Sequence, residues 1–425
     1  MVGIAAALLA LVAVEGLFRI WLRVSGEPYS AAAAEESMRQ IVDVLTEGIP
    51  TLRDGAASAP DAAANGRAAI ATPVDVLHPY FGIDFKGRLT DLPKETAYFQ
   101  SEEAARNFDV VILGGSVAAI FADVSADLLR LILASDPSFA NREIRIHNQA
   151  RGGFKQPQQV NVLAYLLTEG WHPDAVVNID GFNEVALSLE NAKQGANPNY
   201  PIFAEWAPFV ARGPATGETD ARLAAAAARR ERARSILDRA LRWHFQWSAV
   251  LGTITLSRLT SLYNERAADT QAQLRSLEGG LGDLATHGPP FDADPDKLLS
   301  GAVRAWTEGS RSLHALCAAR SILYLHVLQP TLHDAGAKPL TPREIQAGRA
   351  PETYVEGARR GYPLLREEGD RLRSEGIAFF DGSRLFKDVR EDLFVDSCHF
   401  DRRGNRILGE AVARELLALT KTAKR

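Results

Sequence analysis

The sequence of 425 residues predicts an α/β domain built on a parallel β-sheet with helices on both faces. Five short apolar runs are rich in β-branched or aromatic residues, and four of them are followed closely by Gly, Pro, Asn or Ser. Helical patterns lie between the runs. Strands that alternate with helices pair in parallel, because each helical crossover returns the chain to the same edge of the sheet.

The predicted strands cover residues 110–113, 144–147, 175–179, 322–328 and 377–380, and the predicted helices cover residues 119–133, 157–169, 298–320 and 353–375. About 140 residues separate the third and fourth strands, far more than a crossover needs. Because residues 220–251 are rich in Ala and Arg, this insertion, at about residues 188–297, is expected to be a helical cap beside the active site. Trp243 and Trp247 lie near Arg239 and Arg242, which leaves open a helix on a membrane surface, although packing on the core is the simpler interpretation.

The N-terminus predicts a transmembrane helix. About 22 residues are almost continuously apolar, a length that spans a bilayer core if Glu15 and Arg19, one helical turn apart, compensate each other near an interface. We expect an uncleaved anchor over residues 1–25, a stalk or linker over residues 26–74 that is flexible at residues 55–66, and a folded domain over residues 75–425. A buried N-terminal helix is the alternative. Arg19 and Arg23 alone favour a cytoplasmic body.

Composition excludes several classes of protein. A net charge of −5, with acidic residues mixed into the Arg-rich stretches, gives no clustered basic face for nucleic acid. The two cysteines, Cys317 and Cys398, are far apart, so a disulfide scaffold is excluded. His314, His326 and His333 lack the paired spacing of a zinc site and are interpreted as structural. The sequence leaves the oligomeric state open.

Two sites far apart in the sequence carry the chemistry of a hydrolytic triad. The first predicted strand ends in Gly114-Gly115-Ser116, which presents a serine where a buried strand turns into a helix. Near the end of the chain, Asp396 and His399 are three residues apart, a spacing that suits a single turn. A serine hydroxyl needs a neutral imidazole to take its proton, and the imidazole needs a carboxylate to fix its tautomer. We therefore expect Ser116 as nucleophile, His399 as base and Asp396 as its orienting group.

An attacked carbonyl also needs hydrogen-bond donors for its developing negative charge. The segment Asn148-Gln149-Ala150-Arg151-Gly152-Gly153 follows the second predicted strand, where a glycine amide can approach a substrate closely. The segment Asp180-Gly181-Phe182-Asn183-Glu184 follows the third, and the side-chain amide of Asn183 is a candidate donor.

These segments, in this order, resemble the four sequence blocks of the SGNH (GDSL-type) hydrolases. The resemblance covers roughly residues 75–420 without the insertion, and implies a flavodoxin-like three-layer α/β/α fold without metal or cofactor. It implies oxyanion donors at Ser116, Gly153 and Asn183, with Gly152 as the alternative to Gly153. Gly115 and Glu184 depart from the family, in which Asp is usual at both positions. The N-terminal segment resembles the anchor of bacterial membrane-tethered relatives, which implies a single-pass protein with an extracytoplasmic, periplasmic catalytic body.

The function predicted from the sequence is a serine-dependent esterase or O-deacylase that acts on acyl groups of an envelope glycan or a lipid. An O-acyltransferase that passes the same acyl group to a sugar hydroxyl is the first alternative, and a non-catalytic assembly or glycan-binding protein is the second. A nucleotide-binding protein is disfavoured, because Gly114-Gly115-Ser116 lacks the full glycine spacing of a phosphate loop. Cys398 is interpreted as a small packed residue rather than as a nucleophile.

Overall fold

The computed structural model of the chain describes residues 2–24, 28–47, 75–210, 217–276 and 283–423. The helices are α1 (Val2–Val24), α2 (Ala31–Glu47), α3 (Lys86–Phe99), α4 (Glu102–Arg106), α5 (Ser116–Ala134), α6 (Gln158–Thr168), α7 (Phe182–Lys193), α8 (Phe203–Val210), α9 (Gly217–Arg242), α10 (Ala249–Ser276), α11 (Asp283–His287), α12 (Pro295–Ala318), α13 (Pro342–Ala347), α14 (Glu352–Ser374) and α15 (Arg402–Ala423). The described chain divides into two compact units: one holds α1, α2, α9 and α10, and the other holds the β-strands.

A five-stranded parallel sheet forms the centre of the larger unit. Its strands are β3 (Phe108–Gly114), β4 (Ile144–Asn148), β5 (Ala175–Asp180), β6 (Leu323–Leu328) and β7 (Phe379–Asp381). They lie in the order β4-β3-β5-β6-β7 and every pairing is parallel. The predicted parallel α/β sheet is therefore confirmed. A hairpin of β1 (Asp75–His78) and β2 (Gly82–Phe85) precedes the sheet.

Alternating side chains of the strands contribute to two apolar cores, one on each face of the sheet. On β3, Val110 and Ile112 join one core with residues of α5 and α15, whereas Val111 and Leu113 join a second core with residues of α6, α7, α12 and α14. All seven residues of β3 are buried. Successive side chains of a strand point to opposite faces, so a strand covered on both faces is almost entirely apolar, and Asp109 is the one charged residue of β3. This burial fixes the end of β3, where Ser116 begins α5.

The described residues between β5 and β6 are largely helical and include α7 to α12. The long insertion that the sequence predicts between the third and fourth strands therefore consists of helices where the structure describes it. The predicted limits of the stalk and of the folded domain remain predictions, and residues 55–66 lie outside the described residues.

The helical unit has an apolar core of its own. On α2, Met38, Val42 and Leu45 are buried, and they share a cluster with Ala233 of α9 and Leu259 of α10. Tyr29 packs against this cluster and donates a hydrogen bond of 2.7 Å to the carbonyl of Gln246. Burial of one apolar stripe on each helix, rather than helix propensity alone, stabilises such a unit.

The predicted transmembrane anchor is wrong, and with it the predicted single-pass membrane placement. Among the described residues, no helix has the length and apolar character needed to cross a membrane. Two charged residues of α1, Glu15 and Arg19, have polar partners. Glu15 accepts hydrogen bonds from the Ser248 hydroxyl at 2.7 Å and from the Ala249 amide at 2.6 Å, and Arg19 donates to the Trp247 carbonyl at 2.6 Å.

Candidate active site

Ser116 is placed by a tight turn between β3 and α5. Gly114 has φ of +135°, and a Cβ atom there would lie 2.0 Å from the carbonyl oxygen of Ile179 on β5. Only glycine fits such a close approach of two backbones. Gly115 is extended, and Ser116 is the first residue of α5. The serine therefore lies at the carboxyl edge of the sheet, where α/β proteins place their ligands.

Asp396 and His399 lie on one short loop that the backbone closes. Phe394 and Phe400 form an antiparallel bridge and are both buried. Within the loop, Oδ1 of Asp396 accepts the amides of Cys398 at 2.9 Å and His399 at 2.8 Å. These two bonds hold the carboxylate in place. Its other oxygen, Oδ2, lies 2.6 Å from Nδ1 of His399.

The loop brings His399 to Ser116, although 283 positions separate the two residues in the sequence. Nε2 of His399 lies 2.7 Å from Oγ of Ser116. Ser116, His399 and Asp396 thus form one continuous chain of hydrogen bonds, in the geometry of a nucleophile, its base and an orienting carboxylate. The side chains of His399 and Asp396 are 15% and 40% exposed, and Ser116 is 8% exposed, so the array lies near the surface with the serine largely covered.

The pKa values of the pair move in opposite directions. Burial acts to raise the pKa of the Asp396 carboxyl, but the His399 charge and the hydrogen bonds from His399 and Cys398 hold it well below its ordinary value of 3.8. Burial acts to lower the pKa of His399, but the Asp396 carboxylate raises it well above 6.5. The carboxylate therefore stabilises the imidazolium that forms when the serine gives up its proton.

Asn183 lies beside the serine turn. It follows Gly181, which has φ of +114°, and belongs to the first turn of α7. Its side-chain Nδ2 donates to the Phe154 carbonyl at 2.8 Å, and a Cβ on Gly115 would lie only 2.3 Å from the same nitrogen. An amide nitrogen carries two hydrogens, and the Phe154 bond uses one of them. The other is free to donate to a substrate oxygen.

The loop after β4 runs along the end of β3. The Gln149 amide donates to the Ile112 carbonyl at 2.9 Å, and the Arg151 amide donates to the Gly114 carbonyl at 3.2 Å. Gly153 has φ of +77° and lies next to Phe154, whose carbonyl accepts from Asn183. Both predicted donor segments thus lie against the serine turn. The assignment of Gly153 as an oxyanion donor, with Gly152 as the alternative, stays a prediction.

Glu184 is a residue whose part in the site the sequence interpretation missed. Its buried carboxyl group accepts hydrogen bonds from the Gly181 amide at 2.9 Å, the Gln156 amide at 3.1 Å and the Gln159 side chain at 3.2 Å. Burial, together with repulsion from Asp180, raises its pKa to about 8. The residue joins the turn that carries Asn183 to the segment that follows Phe154. An acidic residue three positions after a helix N-cap is the capping-box signal that points to it.

A second array of Asp, His and Ser lies behind the site. Oδ1 of Asp180 lies 2.8 Å from Nε2 of His326 and also accepts the indole of Trp306 at 2.5 Å, while Nδ1 of His326 lies 2.9 Å from the Ser310 hydroxyl. Asp180, His326 and Ser310 are each no more than 1% exposed. No substrate can reach a hydroxyl buried to that extent, so the array supports the end of β5.

A metal-ligand arrangement occurs within the candidate site itself. Within the described part of the chain, one ligand atom each from Asp396, Cys398 and His399 lie within 4.8 Å of one another. Cys398 Sγ is 3.8 Å from Nδ1 of His399. Burial raises the pKa of the Cys398 thiol, so the protonated, weakly nucleophilic form predominates near neutral pH.

Comparison with known proteins adds little to this geometry. No protein-family model and no curated protein matches the chain. Among solved structures, the chain is similar to one described as a "putative arylesterase" from Agrobacterium tumefaciens str. C58, with 12% sequence identity and a TM-score of 0.31. That match covers 74% of this chain and 99% of the other. A likeness this slight establishes neither a shared fold nor a shared activity.

Proposed function

We propose that the chain is a serine hydrolase that cleaves carboxylic esters, with Ser116 as nucleophile, His399 as general base and Asp396 as the group that orients the base. The single observation that carries the proposal is the pair of short contacts at His399: 2.7 Å from Nε2 to Oγ of Ser116 and 2.6 Å from Nδ1 to Oδ2 of Asp396. A helix-capping serine needs no imidazole, whereas a nucleophilic serine does. Assignment to the SGNH hydrolases is part of the proposal.

In the first step, Oγ of Ser116 attacks the carbonyl carbon of the ester, and its proton passes to Nε2 of His399. The imidazolium then gives that proton to the leaving alcohol as the carbon–oxygen bond breaks, which leaves an acyl group on Ser116. Asp396 accepts the Nδ1 hydrogen throughout and stabilises the charged imidazole without taking its proton.

The carbonyl oxygen carries negative charge in the transition state. The Ser116 amide lies in the first turn of α5, so no carbonyl within the helix can accept from it. We propose this amide, the Gly153 amide and the second hydrogen of Asn183 Nδ2 as the donors. Removal of one such donor typically lowers the rate ~10²–10³-fold.

In the second step, water replaces the alcohol. Nε2 of His399, neutral again, takes a proton from the water as its oxygen attacks the acyl carbon. The bond from that carbon to Oγ of Ser116 then breaks, and the imidazolium returns the proton to Oγ. The products are a carboxylic acid and the restored serine, so atoms and protons balance without a metal or a redox group.

The substrate class we propose is an ester of a carbohydrate hydroxyl or of a lipid. Placement at a cell envelope depended on the membrane anchor, and it falls with that anchor. A serine acyl-enzyme can also pass its acyl group to a sugar hydroxyl, and a measurement of both products distinguishes the hydrolase from a transferase.

The test is covalent labelling of the full chain with a fluorophosphonate, together with hydrolysis of aryl acetate, butyrate and longer esters. We expect one label, on Ser116, and loss of both label and hydrolysis in Ser116→Ala. His399→Ala should retain the fold, lose hydrolysis and label far more slowly. The matched control is Ser312→Ala, since the Ser312 hydroxyl is exposed and donates to the Glu308 carbonyl of its own helix. Full activity in Ser116→Ala would refute the proposal.

A further inference from the structure

A thiol lies next to the proposed base, and it takes no part in any step of the proposed reaction. Cys398 directly precedes His399, and its Sγ lies 3.8 Å from Nδ1 of that imidazole. The loop that orients the carboxylate therefore also directs a sulfur toward the same nitrogen. Carboxylate, thiol and imidazole together are a donor set that zinc prefers, because Zn²⁺ takes sulfur and nitrogen ligands as well as oxygen.

The separation of Sγ and Nδ1 suits two ligands of one tetrahedral ion, whereas the carboxylate has to move. With Zn–S of about 2.3 Å and Zn–N of about 2.0–2.1 Å, sulfur and nitrogen ligands of one zinc are ~3.5 Å apart. The observed separation of Sγ and Nδ1 is 3.8 Å. The carboxylate oxygen lies 2.6 Å from Nδ1, and it has to withdraw by about 0.8 Å to reach the ~3.4 Å that two such ligands require. The half-exposed Asp396 side chain gives an ion access from solvent, and water can fill the fourth position.

A metal at this place has a specific chemical consequence. It occupies Nδ1 of His399, so the proton of the neutral imidazole has to move to Nε2, the nitrogen that faces Ser116. An Nε2 that already carries a hydrogen cannot accept one from the serine hydroxyl. The thiol of Cys398 binds as thiolate, and its proton passes to solvent.

We infer that Asp396, Cys398 and His399 form an inhibitory zinc site, in which the metal switches off the proposed base by fixing the unproductive tautomer of its imidazole. The inhibitory effect rests on the function proposed above, whereas the binding of the metal does not. The same three side chains thus have two exclusive states, a proton-transfer array and a metal chelate.

The experiment measures zinc binding directly, by competition with a chromogenic chelator, on the full chain. We expect one Zn²⁺ per chain and no competition by Mg²⁺, which prefers oxygen ligands. Cys398→Ser should weaken zinc binding by at least ~100-fold, because loss of even the outer partners of a metal ligand costs 10–100-fold. Cys317→Ser is the matched control, since Cys317 is the other cysteine of the chain and is likewise buried. It should bind zinc as the wild type does.

Two further variants separate this inference from the proposed function. Ser116→Ala should bind zinc with wild-type affinity, because Ser116 is not a ligand, and His399→Ala should lose the metal even if Cys398→Ser fails to fold. In the wild type, zinc should abolish ester hydrolysis and a chelator should restore it. Absence of saturable zinc binding, or equal affinity in Cys398→Ser, overturns the site. Zinc binding without any effect on hydrolysis overturns its inhibitory role.

Discussion

Substitution of Gly115 by alanine tests how the oxyanion donor is held. A Cβ on Gly115 would lie 2.3 Å from Nδ2 of Asn183, whereas ordinary van der Waals contact begins at 3.4 Å. The amide nitrogen therefore has to move by about 1.1 Å. Nδ2 is the end of a side chain, so it can give way, and the Phe154 carbonyl oxygen, 3.3 Å from that Cβ, has to shift by only about 0.1 Å. The 2.8 Å bond between the two groups will be lost. We expect a catalytic defect in a folded protein.

The magnitude follows from the displacement. A misplacement of about 1 Å in an active site costs ~10²-fold in rate, and loss of an oxyanion donor costs ~10²–10³-fold. Gly115→Ala should therefore lower kcat of ester hydrolysis by about 100-fold or more and leave KM nearly unchanged. Asn183→Ala should show a similar loss. The double variant should be no slower than Asn183→Ala, because both changes act through one amide.

The assay is aryl-ester hydrolysis on variants whose thermal unfolding matches the wild type. Gly87→Ala is the control, because a Cβ on Gly87 meets nothing within 4 Å, and it should keep the full rate. If Gly115→Ala also keeps the full rate, or if its effect multiplies with that of Asn183→Ala, the role given to the Asn183 amide is wrong.

Four further predictions concern the charged groups. Hydrolysis needs neutral His399, whose pKa is raised well above 6.5 by Asp396 despite burial, so kcat/KM should fall as the pH drops through a value above 6.5. Asp396→Asn should move the pH at which kcat/KM falls toward 6.5 and lower kcat by up to ~10⁴-fold. An unchanged pH–rate profile would contradict the pairing of Asp396 with His399. Glu184→Gln should lower kcat more than it raises KM. The side-chain nitrogen of Gln has to face a backbone N–H that a carboxyl oxygen of Glu184 now accepts, at a cost of about 1–3 kcal/mol. Steady-state kinetics equal to the wild type would exclude a positioning role. Glu15→Ala should speed hydrogen exchange at the start of α10, because the Ala249 and Val250 amides lose their acceptor, and equal exchange rates in the two proteins would refute this capping.

The sequence was most informative where a local pattern determines a local structure. Each of the five apolar runs lies on, or overlaps, one of the five strands of the parallel sheet. Strand periodicity and the glycines at strand ends act over a few residues, so they can be recognised without knowledge of the fold. The spacing of Asp396 and His399 is of the same kind, because a single turn brings the two side chains to 2.6 Å.

The N-terminal segment shows where this reasoning fails. An apolar run with Glu15 and Arg19 one turn apart has the pattern of a membrane helix. In the structure, the Glu15 carboxylate accepts hydrogen bonds from the start of α10 and from Ser248, which is 233 positions away in the sequence. Those hydrogen bonds lower the pKa of Glu15 to about 2 despite burial. Hydropathy counts the residues of one segment and cannot register a partner so distant in the chain.

What the sequence determined by itself was the five strands of the parallel sheet, the glycine turn before Ser116 and the turn that joins Asp396 to His399. Only the tertiary structure decided that Ser116 and His399 meet at 2.7 Å, that Glu184 ties two loops together, and that the sulfur of Cys398 faces the imidazole. The physical reason is distance along the chain. Turns and strands follow from neighbouring residues, whereas groups separated by up to 283 positions meet only when both faces of the sheet are packed.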